Sequence, residues 1–141
     1  MMNQEEKKLL LIDLSARLPY DNTYVQYTGD VPTGLGAVKL THEIIKIIET
    51  LPEELNITIK PYLRPMSSMT EEERKEYNNA IQEDIRQIEY VSKVHEGLKN
   101  KVSMYRSVDY LNEHHFDYRG LIEKGLAIDS TNKYYTSNEK I

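Results

Sequence analysis

The sequence predicts a single α+β domain, in which a small antiparallel sheet packs with an N-terminal helix, a long amphipathic helix and a short C-terminal helical motif. Three observations carry this reading. A stripe of leucines at helical spacing opens the chain, alternating β-branched and aromatic residues follow it, and a capped, charged helical stretch then begins at Thr70. The 141 residues suffice for one core and are few for two. A hydrophobic share of 39% against a charged share of 29% is a globular balance.

Residues 4–18 read as the first helix, with Leu10, Leu11, Leu14 and Leu18 on one face for the core. Glu5 and Glu6 suit its positive N-terminal end, Arg17 suits its last turn, and Pro19 stops it. Tyr24–Thr28 alternates as a strand, and Gly29-Asp30 is a turn signal. Pro32, Gly34 and Gly36 mark an irregular stretch before a second strand from Ala37. Residues 41–51 fit two patterns. Ile44, Ile45, Ile47 and Ile48 favour a strand by their β-branching, which is the preferred reading over 37–49. The 44, 45, 48, 51 spacing also fits one helix face. After a turn at Pro52-Glu53-Glu54, Leu55–Ile59 reads as a third strand.

Lys60–Pro65 carries two prolines, each of which drives the residue before it to extended backbone, so a stiff strap is expected there. Lys60 and Arg64 could face a ligand; pairing with carboxylates of neighbouring elements is the preferred reading. Thr70 and Glu73 form a capping box, and the helix they start is expected over 71–98. Its apolar line, Tyr77, Ile81, Ile85, Ile88, Val91, Val94 or His95, and Leu98, is narrow enough for a pairing seam with a second copy. His95 is expected to pack there rather than bind a ligand. Residues 102–106 could add an edge strand. Ser107 is expected to cap a short helix, with Val108, Leu111 and His115 or Phe116 facing inward. Asp117 is placed to cap a further turn over Tyr118–Lys124, and Gly125 to close it in a left-handed conformation. A frayed tail is expected from Asp129.

Composition narrows the function classes. The chain has 11 Tyr, 1 Phe and no Trp, which suits either a half-wet core or a contact surface. A net charge of −5 argues against general nucleic-acid binding. The absence of cysteine removes disulfides and thiolate metal sites and points to the cytoplasm. The first apolar run, Leu9–Ile12, is too short for a signal peptide or a membrane span.

The densest chemistry lies in Tyr110–Ile128, which holds His114, His115, Asp117 and Arg119. A metal is not expected there. Adjacent histidines on a helix point about 100° apart, whereas helical metal ligands favour a four-residue spacing. Glu113 and Asp117 have that spacing but would need a further ligand such as His42. A histidine oriented by Asp117 is sensible acid–base chemistry, but no nucleophile or glycine-rich loop accompanies it. Nor is a phosphate loop, a dinucleotide fingerprint or an internal repeat present. No cofactor is therefore expected. The preferred reading is structural, with Asp117 as a cap, Arg119 paired and one histidine buried. Tyr62, Arg64, His114, His115, Asp117 and Arg119 are the candidate binding residues.

Three pieces of the chain carry a resemblance. They are Leu14–Tyr20 (LSARLPY), Lys60–Glu73 (KPYLRPMSSMTEEE) and Tyr110–Ile128 (YLNEHHFDYRGLIEKGLAI). Together they resemble a family of small uncharacterised proteins from gut anaerobes and their phages or mobile elements. Asp21 and Asn22 stand where a glycine turn is expected after the first piece. The resemblance implies an origin and no activity. The separation of the pieces suggests that they pack together. The expected function is non-enzymatic interaction with a host protein or by self-association through the 71–98 helix, with no membrane contact. The rival is a small-molecule or nucleotide handler using Lys60, Arg64, Arg119 and His114 or His115.

Overall fold

A computed structural model of the chain describes residues 2–94 and 105–131. In chain order these form α1 (Gln4–Arg17), β1 (Thr23–Thr28), β2 (Val31–Lys39), α2 (His42–Thr50), β3 (Ile57–Leu63), α3 (Glu71–Val94), α4 (Tyr105–Glu113) and β4 (Ile128–Asp129). The strand order is β2-β1-β3-β4. The domain is α+β, as expected. Its sheet is antiparallel through β1, β2 and β3 and ends in a short parallel pairing of β4 with β3.

Helix α1 begins at a reciprocal cap. Asn3 Oδ1 accepts from Glu6 N–H at 2.8 Å, and Glu6 Oε1 accepts from Asn3 N–H at 3.0 Å. Leu10 and Leu14 enter the core, while Leu11 and Leu18 pack at its margin. The helix ends at Arg17, and Pro19 sits in a single 3-10 turn, Leu18–Tyr20. Asp21 then takes φ +54, the left-handed conformation that the expected glycine turn would have supplied.

The β1–β2 hairpin turns at Gly29-Asp30. Gly29 has φ +62 and Asp30 is not left-handed, which fits a type II′ turn. The strand expectations need three corrections. First, β2 runs unbroken from Val31 to Lys39, because a register shift opposite Tyr24/Gln26 absorbs the glycine-rich stretch. Second, residues 42–50 are helical. Thr41 Oγ1 caps the first turn by accepting from Ile44 N–H, and Ile45 and Ile48 are buried on one face. Burial of that face outweighed β-branching. Third, β3 runs to Leu63, so the proline strap is itself strand.

Pro61 is tolerated there for a directional reason. The Tyr62 carbonyl points to the β1 side, accepting from Asn22, and the Leu63 carbonyl points to the β4 side, accepting from Ser130 N–H. Alternation aims the missing donor of Pro61 toward β4, whose pairing begins only at Tyr62.

The main core joins Leu10 and Leu14 of α1, Tyr24, Leu40, Ile45 and Ile48, Ile59 and Leu63 of β3, and Leu121, Leu126 and Ala127. Val25, Tyr27 and Ile128 form a second cluster, with Tyr62 against it.

Helix α3 starts at the expected capping box. Glu73 N–H donates to Thr70 Oγ1 at 3.1 Å and Thr70 N–H to Glu73 Oε1 at 3.0 Å. Its seam meets α4, where the Tyr77 and Tyr110 rings lie 6.1 Å apart. Among the described side chains of α3 the buried one is Asp84, only 3% exposed, while Ile85 is 40% exposed. Asp84 caps α4 from outside. Its carboxylate accepts from Arg106 N–H (3.0 Å), Ser107 N–H (2.9 Å) and Ser107 Oγ–H (2.7 Å). Burial raises the Asp84 pKa, and the Ser107 and Arg106 donors outweigh it to hold the carboxyl lower than usual. Residues 105 and 106 are thus helical, not an edge strand, Ser107 lies inside α4, and Val108 faces solvent. Asp129 belongs to β4 rather than to a frayed tail. His95, Leu98, residues 102–104 and residues 132–141 of the expected tail lie outside the described residues.

Candidate functional site

The three motif segments meet at the end of β3. From α1, Asp13 and Arg17 share the face of Leu10 and Leu14, and both are fully buried. Arg17 Nε donates to Asp13 Oδ2 at 2.8 Å, and Arg119 Nη1 donates to Asp13 Oδ1 at 2.7 Å. Arg17 Nη2 reaches the Phe116 carbonyl at 2.6 Å. One carboxylate thus faces two guanidinium groups. The Tyr118 ring lies against both, with the Arg119 Cζ 4.5 Å and the Arg17 Cζ 5.4 Å from its centre.

Arg64 closes the second side. Its N–H donates to the His115 carbonyl at 2.7 Å, and its carbonyl accepts from Asp117 N–H at 2.8 Å. This parallel bridge lays residues 115–117 beside β3 on the side where β1 has ended. The Arg64 guanidinium stacks 4.3 Å over the Phe116 ring and makes a two-pronged contact with Glu73, at 2.7 and 2.8 Å. It also donates to the Ser68 carbonyl at 3.2 Å. The Arg64 bonds, joined by the Thr70 backbone donor, pull the Glu73 carboxyl down to about 2.

Helix α4 ends at His115 in a Schellman motif. His115 N–H donates to the Asn112 carbonyl (3.1 Å) and Phe116 N–H to the Leu111 carbonyl (2.8 Å), with His115 at φ +63. Glycine normally fills that position, so His115 is strained. The same geometry recurs at Gly125, φ +74, through Gly125 N–H to Ile122 O (3.1 Å) and Leu126 N–H to Leu121 O (2.9 Å). The left-handed Gly125 was expected. The helix before it is not formed, since Tyr118–Lys124 is a run of turns. Asp117 still caps that run, accepting from Leu121 N–H at 2.8 Å and Ile122 N–H at 2.9 Å.

Asn22 fixes the protonation of His115. Its Nδ2 lies 3.2 Å from the Tyr62 carbonyl, which can only accept, and 3.1 Å from His115 Nδ1. Nδ1 therefore accepts, and the ring proton sits on Nε2. Burial first, then the charges of Arg17, His114 and Arg64, hold the His115 pKa below its usual 6.5 against the opposing pull of Asp21. His114 is 34% exposed, stacks 4.2 Å from the Tyr110 ring, and has Nδ1 3.8 Å from Glu73 Oε2. Burial, with the Glu76 and Glu73 carboxylates, pushes the Tyr110 hydroxyl up to about 12. Clasping is not free of cost. Arg17 Nη1 and Asn22 Oδ1 are buried without hydrogen-bond partners, at about 1–3 kcal/mol each.

The structure therefore brings Arg64, His114, His115, Asp117 and Arg119 into one clasp. Tyr62 packs on the opposite sheet face, and only its backbone carbonyl joins the clasp through Asn22. The Lys60/Arg64 pair splits. Arg64 binds a carboxylate as preferred, whereas Lys60 lies 4.4 Å over the Tyr27 ring. Asp13 and Asp84 were absent from the sequence reading, and Arg17 and Asn22 entered it only as a helix-end cation and a turn residue. For Asp13, Arg17 and Asp84 the signal was available, because each occupies an apolar-stripe position at three- or four-residue spacing. Among the described residues no group of three His, Asp or Glu side chains is arranged to hold a metal ion.

Among the described residues, two well-formed cavities flank the fold, and none of the six candidate residues lines either. One is a groove between α1 and α2. The other, of about 260 Å³, lies between β3, the end of α2 and the Lys124–Leu126 turn, and Lys60 is in its wall. No helix among the described residues is long and apolar enough to cross a membrane. Compared with models of known protein families, with curated proteins and with solved structures, the chain gives no match.

Proposed function

We propose that this chain is a non-enzymatic interaction protein of phage or mobile-element origin that works in the cytoplasm, through self-association or by engaging a host protein along α3. One observation carries the reading. α3 is a 24-residue helix whose packing partner is α4, and it leaves Ile85 40% and Tyr90 64% exposed. A helix of that length spans about 36 Å, ample for a pairing surface. The commitment of Arg64, His115, Asp117 and Arg119 to the clasp supports the non-enzymatic part, because their donors and acceptors hold backbone and one another.

Light scattering over a concentration series tests the self-association. The expected result is a mass that rises toward the dimer, and a monomer for Ile85→Asp with an unchanged far-UV spectrum. A wild-type chain that stays monomeric to about 1 mM, a dissociation constant worth only ~4 kcal/mol, removes self-association. The host-partner form then requires capture of a defined protein by wild type and not by Ile85→Asp.

A further inference from the structure

His114 and His115 are neighbours in sequence and face different parts of the molecule. His114 stays with the helices, its ring 4.2 Å from that of Tyr110 in α4 and its Nδ1 3.8 Å from Glu73 of α3. His115 faces the sheet, through the 3.1 Å contact of its Nδ1 with Asn22 just before β1. Both connections between the α3–α4 pair and the sheet lie at this same end. Residues 64–70 lead from β3 into α3, and residues 114–117 lead out of α4. The joint is made by Arg64 N–H to His115 O, Asp117 N–H to Arg64 O, Arg17 Nη2 to Phe116 O, and Asn22 Nδ2 to His115 Nδ1. Among these contacts only the last can be switched by a proton.

A second ring proton can go only to Nδ1, because Nε2 already carries one. There it meets an N–H donor. Turning the Asn22 amide over would offer Oδ1 to the proton but would set that oxygen against the Tyr62 carbonyl, 3.2 Å from the amide. The charges around the ring give little relief. Arg17 of α1, Arg64 after β3 and the adjoining His114 all oppose a cation there. Asp21 favours one, but its carboxylate is already 2.8 Å from Lys39 Nζ. The backbone adds a push, since His115 is held left-handed at φ +63 and relaxes when released.

We propose that His115 is a proton-operated latch between the helical pair and the sheet. A proton taken from solvent onto Nδ1 breaks the Asn22 contact, and residues 115–117 lift from Arg64 while β1 and β3 stay paired. His114 does not oppose the release, because a proton on its ring faces Glu73 of the same helical pair. The latch needs no partner on α3.

Hydrogen exchange of the full chain across low urea concentrations tests this, each rate being divided by its intrinsic rate at that pH. The Arg64 and Asp117 amides bridge the joint, and Val25 and Lys60 are paired across β1 and β3. From about pH 7.5 to about pH 5.5, opening at Arg64 and Asp117 is expected to rise about tenfold, the limit for a group of ordinary pKa 6.5 that the closed joint keeps unprotonated. That opening is local, so it should not respond to urea, whereas exchange at Val25 and Lys60 should climb with urea as global unfolding does. His115→Asn places there a residue that tolerates left-handed backbone, and is expected to abolish the pH effect. His114→Gln is expected to retain it. Joint amides that share the urea dependence of Val25 and Lys60, or whose opening ignores pH, overturn the latch in the wild-type chain alone. A pH effect that survives His115→Asn or is lost in His114→Gln overturns it as well.

Discussion

Replacing Asp13 with alanine removes the carboxylate that holds Arg17 and Arg119 together. Arg17 is fully buried, so its guanidinium would keep only the Phe116 carbonyl, at 2.6 Å, and the face of Tyr118. Breaking a buried pair by removing one partner costs about 3–5 kcal/mol, because an uncompensated charge stays behind. Arg119 is 20% exposed and can turn to water, so its release adds little. The expected loss is therefore about 3–4 kcal/mol, a large part of the 5–15 kcal/mol that stabilises a typical domain. Urea unfolding of Asp13→Ala and of Asp21→Asn makes the measurement. Asp21 pairs with Lys39 on the surface, both side chains being more than half exposed, and asparagine removes its charge while tolerating the left-handed backbone at φ +54, so the midpoint is expected to stay in place. If Asp13→Ala shifts the midpoint no more than Asp21→Asn, the buried clasp does not hold this fold.

Three more outcomes follow from the geometry. The Glu73 carboxyl drops from 4.5 to about 2 in the fold, so its stabilisation is complete above pH ~4.5 and is lost as pH falls toward 2. Solvent contact cuts the full-shift value to about 1–2 kcal/mol, and Glu73→Gln should flatten acid unfolding over that window. His115 acts in the same direction nearer neutrality. Its pKa is depressed, so the unfolded chain takes up the proton first and stability falls as pH drops below 6.5. His115→Gly relieves a left-handed strain of about 1 kcal/mol while losing one hydrogen bond of similar worth, so its stability at pH 7 should change little and its pH 5–7 slope should vanish. Asp84→Ala leaves the first amides of α4 without acceptors and should cost roughly 2–3 kcal/mol, with loss of hydrogen-exchange protection in α4.

Local signals were legible wherever one residue set the backbone. Thr70 with Glu73, Gly29, Asp117 and Gly125 each took the cap or turn that its chemistry demands. What the sequence hid was set by contacts across the chain. Residues 42–50 became a helix because one face could be buried, a fact about α1 and β3 rather than about isoleucine. Lys60–Leu63 became a strand because β1 stood ready to pair with it. At the candidate site the individual roles of Asp117, Arg119 and Arg64 could be read, but their common partner Asp13 could not. It lies 106 positions from Arg119. A polar residue on an apolar stripe was the available clue at Asp13, Arg17 and Asp84, and in each case it marked a buried polar joint.

The account stands or falls on whether residues 114–119 hold the fold or face a ligand. Equilibrium unfolding of Asp117→Ala beside His114→Ala asks this directly. Asp117 accepts two backbone N–H bonds with its carboxylate, so its loss should cost about 2–4 kcal/mol. His114 contributes ring stacking and a 3.8 Å approach to Glu73 while 34% exposed, so its loss should cost under about 1 kcal/mol. A clear gap in that order is the predicted result. Two variants as stable as the wild type would contradict the clasp and return the stretch to the status of a binding site.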